Sequence, residues 1–198
     1  SMNLGMGEQL AGTTVFQEPV GVVSAIVPFN FPFFVATHKV GAALAAGCSV
    51  VLKLSELTPL SCTLIAEAAA DADLPPGVFS YVVGEAEVGR RMVEHPDVDC
   101  VSFTGSTAVG RDIGATAAQT VKKVVLELGG KSAAIVCADA DLDHAVAGVL
   151  YGIFSSSGES CIAGSRAFVH ASVYEEFKRR LLTGVQALCV GDPASERT

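Results

Sequence analysis

The chain has 198 residues, half of them apolar and only 17% charged, which excludes a disordered segment and leaves room for one large or two small domains around a sizeable core. Its formal net charge of −8 provides no basic stripe to neutralise phosphates, so neither nucleic acid nor an anionic membrane surface is expected as a partner. The most apolar stretch, residues 20–36, carries Pro28, Asn30 and Pro32 and does not read as a membrane span. The first ten residues show no basic region followed by an apolar one, so no secretory signal is expected.

In chain order, residues 13–28 begin with alternation and become a continuous β-branched run, as in a strand buried on both faces of a parallel sheet. Pro28 and Pro32 then fix the backbone around Asn30, whose amide is well placed to donate toward a ligand; a rigid strand-to-helix turn is the plainer reading. Residues 33–46 read as a helix with Gly47 just past its end, and residues 48–52 as a short strand leading into Lys53 and Glu56. The edge of a parallel sheet where strands end is where α/β proteins bind ligands, although a surface charge pair reads equally well from pattern alone. Thr58-Pro59 predicts a capped helix start, with the helix running over 60–72.

After the turn at Pro75-Pro76-Gly77, strands are expected at 78–83, 98–103 and 122–128, with helices opening at Gly84 and after Ser106. The junction Thr104–Gly110 puts Ser106 and backbone N–H groups at a helix N-terminus, a ready anion site, without the full GxGxxG or P-loop spacing. Glu127 ends its strand beside Gly129 and Gly130, where a carboxylate can act as a base. A strand at 132–137, a helix led by Asp139 and Asp141, a strand at 166–170 and an amphipathic helix at 172–188 complete the alternation.

The six cysteines form no CxxC pair and no zinc-ligand cluster. Cys48, Cys62, Cys100, Cys137 and Cys189 are expected as small core residues in a reducing cytoplasm. Cys161 differs, because it sits in the Gly/Ser-rich stretch Gly158–Arg166, where a thiol is reachable and close to backbone N–H groups. The four histidines have no common spacing and read as surface residues.

The stretches Pro28–Pro32 (PFNFP), Lys53–Glu56 (KLSE), Pro75–Val78 (PPGV), Phe103–Gly110 (FTGSTAVG), Glu127–Lys131 (ELGGK) and Gly158–Arg166 (GESCIAGSR) occur in the order and spacing of the aldehyde dehydrogenase superfamily, which this chain resembles from about Phe16 to Pro193. The resemblance implies a fold that is α/β, with a mostly parallel Rossmann-like sheet and helices on both faces, followed by the start of a second α/β catalytic domain. Residues 1–129 would be part of the dinucleotide-binding domain, with 1–18 a candidate oligomerisation hairpin, and 130–198 the beginning of the catalytic domain.

The same resemblance implies Cys161 as nucleophile, Asn30 as side-chain oxyanion donor and Glu127 as the base that activates water. It assigns Lys53 and Glu56 to the adenosine ribose, Ser106 to the pyrophosphate, and Phe29, Gly105, Val109 and Leu128 to other cofactor positions. NAD is the expected cofactor and NADP an alternative, since a carboxylate at Glu56 accepts from both ribose hydroxyls and repels a 2′-phosphate. The implied activity is oxidation of an aldehyde to a carboxylic acid through a cysteine thioester, in a cytoplasmic homo-oligomer. Glu127 argues against a CoA-dependent acyltransferase, the third option. Departures from the family pattern are Phe29 for tryptophan, Leu54 for proline, Ser156 for asparagine and Glu159 for glutamine. The family's usual chain is more than twice this length, so a non-catalytic fragment that keeps the fold is the other reading.

Overall fold

The computed structural model describes residues 16–196 and 198, together with the backbone of 9–10 and 13–14, and the chain divides into two compact units, Ser1–Leu128 and Gly129–Thr198. Two short strands, β1 (Gln9–Leu10) and β2 (Thr13–Thr14), pair antiparallel. The rest of the candidate hairpin at 1–18, apart from residues 16–18, lies outside the described residues.

The first unit is built on a five-stranded sheet in the order β5-β4-β3-β6-β7. Its strands are β3 (Val22–Ile26), β4 (Ser49–Leu54), β5 (Phe79–Val83), β6 (Cys100–Gly105) and β7 (Lys123–Leu128), every pair parallel. Helices α1 (Pro32–Ala45), α2 (Thr63–Asp71), α3 (Ala86–Glu94) and α4 (Thr107–Ala118) alternate with them. The alternation of a strand separates two cores. Ala25 and Val27 pack with Ala36 and Val40 of α1 and Ile65 of α2, whereas Ile26 packs with Val93 of α3 and Ile113 of α4. Helices therefore cover both faces, which is why β3 is apolar apart from the buried Ser24.

The second unit holds a parallel pair, β8 (Ala133–Val136) and β9 (Arg166–Val169), with helices α5 (Leu142–Phe154) and α6 (Tyr174–Gln186). Asp141 caps α5 by accepting from the backbone N–H groups of Asp143 and His144. Val136, Val146 and Phe177 form the core, and Arg180 of α6 reaches Asp143 of α5 at 2.6 Å.

Three expectations need correction. The helix after Thr58-Pro59 opens as a single 3₁₀ turn, Leu60–Cys62, and becomes α-helical only at Thr63. The Thr58 hydroxyl caps nothing and donates instead to the Phe29 carbonyl at 3.0 Å, tying this loop to the proline turn after β3. Cys137 and Cys189 are exposed rather than in the core, because one lies past the end of β8 and the other past the end of α6. Cys48, Cys62 and Cys100 are buried as expected.

Candidate active site

Because the five strands run parallel, their carboxyl ends share one edge of the sheet. Phe29 and Asn30 follow β3, Lys53 ends β4 with Glu56 just beyond, Gly105 and Ser106 close β6, and Glu127 and Leu128 close β7. Each sequence-predicted residue of this unit therefore falls on the edge where open α/β sheets bind ligands.

The turn around Asn30 is held from both sides. Pro32 occupies the first turn of α1, where its missing N–H costs nothing, and the Phe29 carbonyl is held by Thr58. Asn30 is partly buried. On the neighbouring strand the Lys53 ammonium is almost buried and lies 3.8 Å from the half-exposed Glu56 carboxylate. Ser106 is the N-cap of α4, its hydroxyl accepting from the Val109 N–H at 3.3 Å.

A cleft of about 260 Å³ opens between α3 and α4 at this edge. Lys53 lies at its strand end, and Ile26, Gly89, Val93, Phe103, Val109 and Ile113 make its walls. Of the expected cofactor positions, Lys53 and Val109 line it directly, and Glu56 joins it through the Lys53 pair. Gly105 and Leu128 act from behind. A β-carbon at Gly105 would lie 2.4 Å from the Phe103 ring, and one at Gly110 would lie 2.5 Å from Leu128, so these positions fix the wall and seat α4. Phe29 and Ser106 do not line the cleft. A cationic group beside a flat apolar slot suits a nucleoside with its phosphates at a helix N-terminus. A larger cavity of about 340 Å³ lies below, between Val22 at the start of β3 and His95–Val98 ahead of β6. Its lining runs along β3, β4 and β5 from Val22 to Val82 beside α3, and neither Lys53 nor any residue of α4 lines it.

Sequence reasoning missed Lys39. It sits on the buried face of α1 between Ala36 and Val40, and its ammonium donates to the Ser102 hydroxyl of β6 at 2.9 Å. Burial pulls its pKa from 10.5 down to about 8, a fall opposed by the Glu127 carboxylate and, more weakly, the Cys100 thiol. A lysine in register with the apolar positions of a helix was the available signal. Glu127 itself pairs in register with Thr104 and is exposed.

In the second unit, α5 ends in an unusual turn. Ser156, Ser157 and Gly158 all have positive φ, at 51°, 56° and 76°. Left-handed conformation at consecutive serines costs roughly 1–2 kcal/mol per residue and reverses the chain sharply after the helix. Glu159 N–H closes on the Ser156 carbonyl at 3.0 Å, and Gly164 N–H returns to Gly152 of α5 at 3.1 Å, so the segment is pinned at both ends. Cys161 sits between them with an exposed thiol. No hydrogen bond among the described residues uses its N–H. Gly130 lies against the Cys161 carbonyl, where an added β-carbon would be 3.8 Å away.

Such a chain has a parallel α/β unit with a nucleotide-sized cleft and a second unit presenting a pinned, exposed cysteine. The sequence pattern of the aldehyde dehydrogenase family matches residues 4–198, and the chain belongs to that family. It is similar to the mitochondrial succinate-semialdehyde dehydrogenase of Arabidopsis thaliana, 50% identical over 179 residues that make up 90% of this chain and 34% of that protein. Among solved structures it is similar to an NAD-dependent aldehyde dehydrogenase from Sinorhizobium meliloti, 48% identical with a TM-score of 0.87 over 91% of this chain and 36% of that one. The NAD+ complex of the Bacillus cereus aldehyde dehydrogenase is 44% identical, with a TM-score of 0.88 over 91% of this chain and 37% of its own. The chain thus spans about a third of the length of these relatives. No helix of the described residues is long and apolar enough to cross a membrane.

Proposed function

We propose that this chain carries the cofactor cleft and the reacting thiol of an NAD(P)-dependent aldehyde dehydrogenase that makes a carboxylic acid. Residues 1–129 serve as the dinucleotide-binding part and 130–198 as the start of the catalytic part. The observation that carries the reading is Cys161, exposed in a pinned turn with its own N–H unused among the described residues, in a chain whose strand edge holds Asn30 and Glu127.

The cleft fits the cofactor. Lys53 and Glu56 would hold the adenosine ribose, the walls from Gly89 to Val109 would take the base, and the N-terminus of α4 at Ser106 would face the pyrophosphate. A bound nicotinamide supplies the hydride acceptor. The protein's own groups do the rest. The Cys161 thiolate attacks the aldehyde carbon, while its N–H and the Asn30 amide donate to the oxygen that gains charge. Glu127 takes a proton from the water that attacks the resulting thioester, releasing the acid and restoring the thiolate. Lys39, on α1, lies close enough to Glu127 for that carboxylate to oppose the burial-driven fall in the lysine's pKa, and is a positioning residue for it.

Aldehyde-dependent NADH formation, followed by absorbance, tests the reading: Cys161→Ala abolishes it, and activity equal to wild type would sink the assignment. A second reading rests on the chain's span of about a third of its relatives' length, namely a non-catalytic piece that keeps dinucleotide binding. Oxidation by the 198-residue chain at a rate normal for the family would exclude it. The homo-oligomer is read from the family, and the cytoplasm from free thiols that persist in a reducing compartment.

A further inference from the structure

The walls of the cleft change character with depth. Lys53 marks the strand end, where the helices α3 and α4 begin with Ala86 and Val109 facing inward. One turn lower, about 5 Å along the helix axes, Arg90 on α3 and Asp112 on α4 face the same slot. Two turns down, Glu94 and Thr116 close it. Arg90 is engaged by Glu87 at 3.3 Å. Asp112 belongs to none of the ion pairs among the described residues.

A carboxylate on this exposed side of the cleft accepts hydrogen bonds and donates none. With a ribose held at Lys53, a purine between Gly89 and Val109 would extend toward the next helical turn, where Asp112 lines the same cleft. Adenine carries an amine at its 6-position, with two N–H donors. We propose that Asp112 reads the exocyclic amine of the adenine, making the cleft selective for a 6-aminopurine over other purines. This rests on the cofactor reading above and adds to it a base-recognition group. Apolar walls alone would accept any purine, since every ring has the same flat face.

The test is calorimetric binding of two nucleotides to the 198-residue chain: AMP, and purine riboside 5′-monophosphate, which has hydrogen in place of the amine. Both carry the same phosphate charge, so repulsion by the carboxylate cancels in the comparison. A hydrogen bond to a charged group predicts that AMP binds about tenfold more tightly. Asp112→Ala, an exposed position on α4, lowers AMP to the level of the analogue and leaves the analogue unchanged. Equal affinity of the two nucleotides for the wild-type chain overturns the proposal and leaves the cofactor cleft standing. Failure of both to bind overturns the cofactor reading itself.

Discussion

Lys39→Met removes an ammonium that the fold buries at a measurable cost. The group titrates at about 8 in the folded chain and at 10.5 when unperturbed, with burial the dominant cause and Glu127 opposing it. Below about pH 8 both folded and unfolded chains hold the proton, and the folded chain bears the full cost of burying the charge. Between about 8 and 10.5 the unfolded chain keeps a proton that the folded chain has released, so stability rises with pH. Above 10.5 both are neutral and the cost is gone. At about 1.4 kcal/mol per pH unit the whole window sets an upper limit, and because the side chain is only partly buried, solvent screening leaves roughly 1–2 kcal/mol. The methionine variant also loses the bond to Ser102, but that loss does not follow this pH course. Urea unfolding of both proteins, followed by circular dichroism between pH 7 and 10.5, therefore gives a difference curve. Wild-type stability should gain about 1–2 kcal/mol on the variant across the range. Parallel curves would refute the claim that Lys39 is a partly buried cation held in register with the core.

Gly105→Ala forces a β-carbon to within 2.4 Å of the Phe103 ring, which forms part of the cleft wall. It should cost about 1–3 kcal/mol in denaturant unfolding and weaken AMP binding in the same variant; an unchanged affinity would separate the wall from the ligand. Ser156→Gly relieves one left-handed serine in the turn before Cys161, and after glycine's larger unfolded-state entropy it should still raise stability by roughly 0.5–1 kcal/mol. Thermal unfolding that falls instead would show that the serine side chain holds the turn. Phe177 is the largest fully buried side chain and sits in the core of the second unit. Phe177→Ala should cost about 3–5 kcal/mol, and a loss under 1 kcal/mol would mean that this core is loosely packed.

The parallel sheet was legible because β3 and β4 are mostly apolar and rich in valine on both faces, as a strand covered on both sides needs. Lys53, Gly105 and Glu127 could be placed at strand ends in advance, because each is a polar or glycine residue just where an apolar run stops. Thr58 misled because its hydroxyl satisfied the sequence rule for a cap while a carbonyl twenty-nine residues earlier competed for it. Lys39 was missed for a related reason: its partner Ser102 lies sixty-three residues away, and only the seating of α1 on the sheet brings them together. Cys137 and Cys189 were misplaced because burial at the end of an element depends on what covers that end, which local pattern does not encode. The left-handed serines also had no sequence signal, as Gly158 alone accounts for a sharp turn there.

The most direct test of the account is to stop the proposed reaction halfway. Glu127→Gln removes the base that activates water but leaves the thiol, so incubation with an aldehyde and NAD should trap the acyl group. Peptide mass spectrometry of the variant is predicted to find one acyl adduct, on Cys161, in an amount that matches the NADH released. Turnover that continues unchanged in this variant, or an adduct on a different cysteine, would contradict the assignment of Cys161 and Glu127.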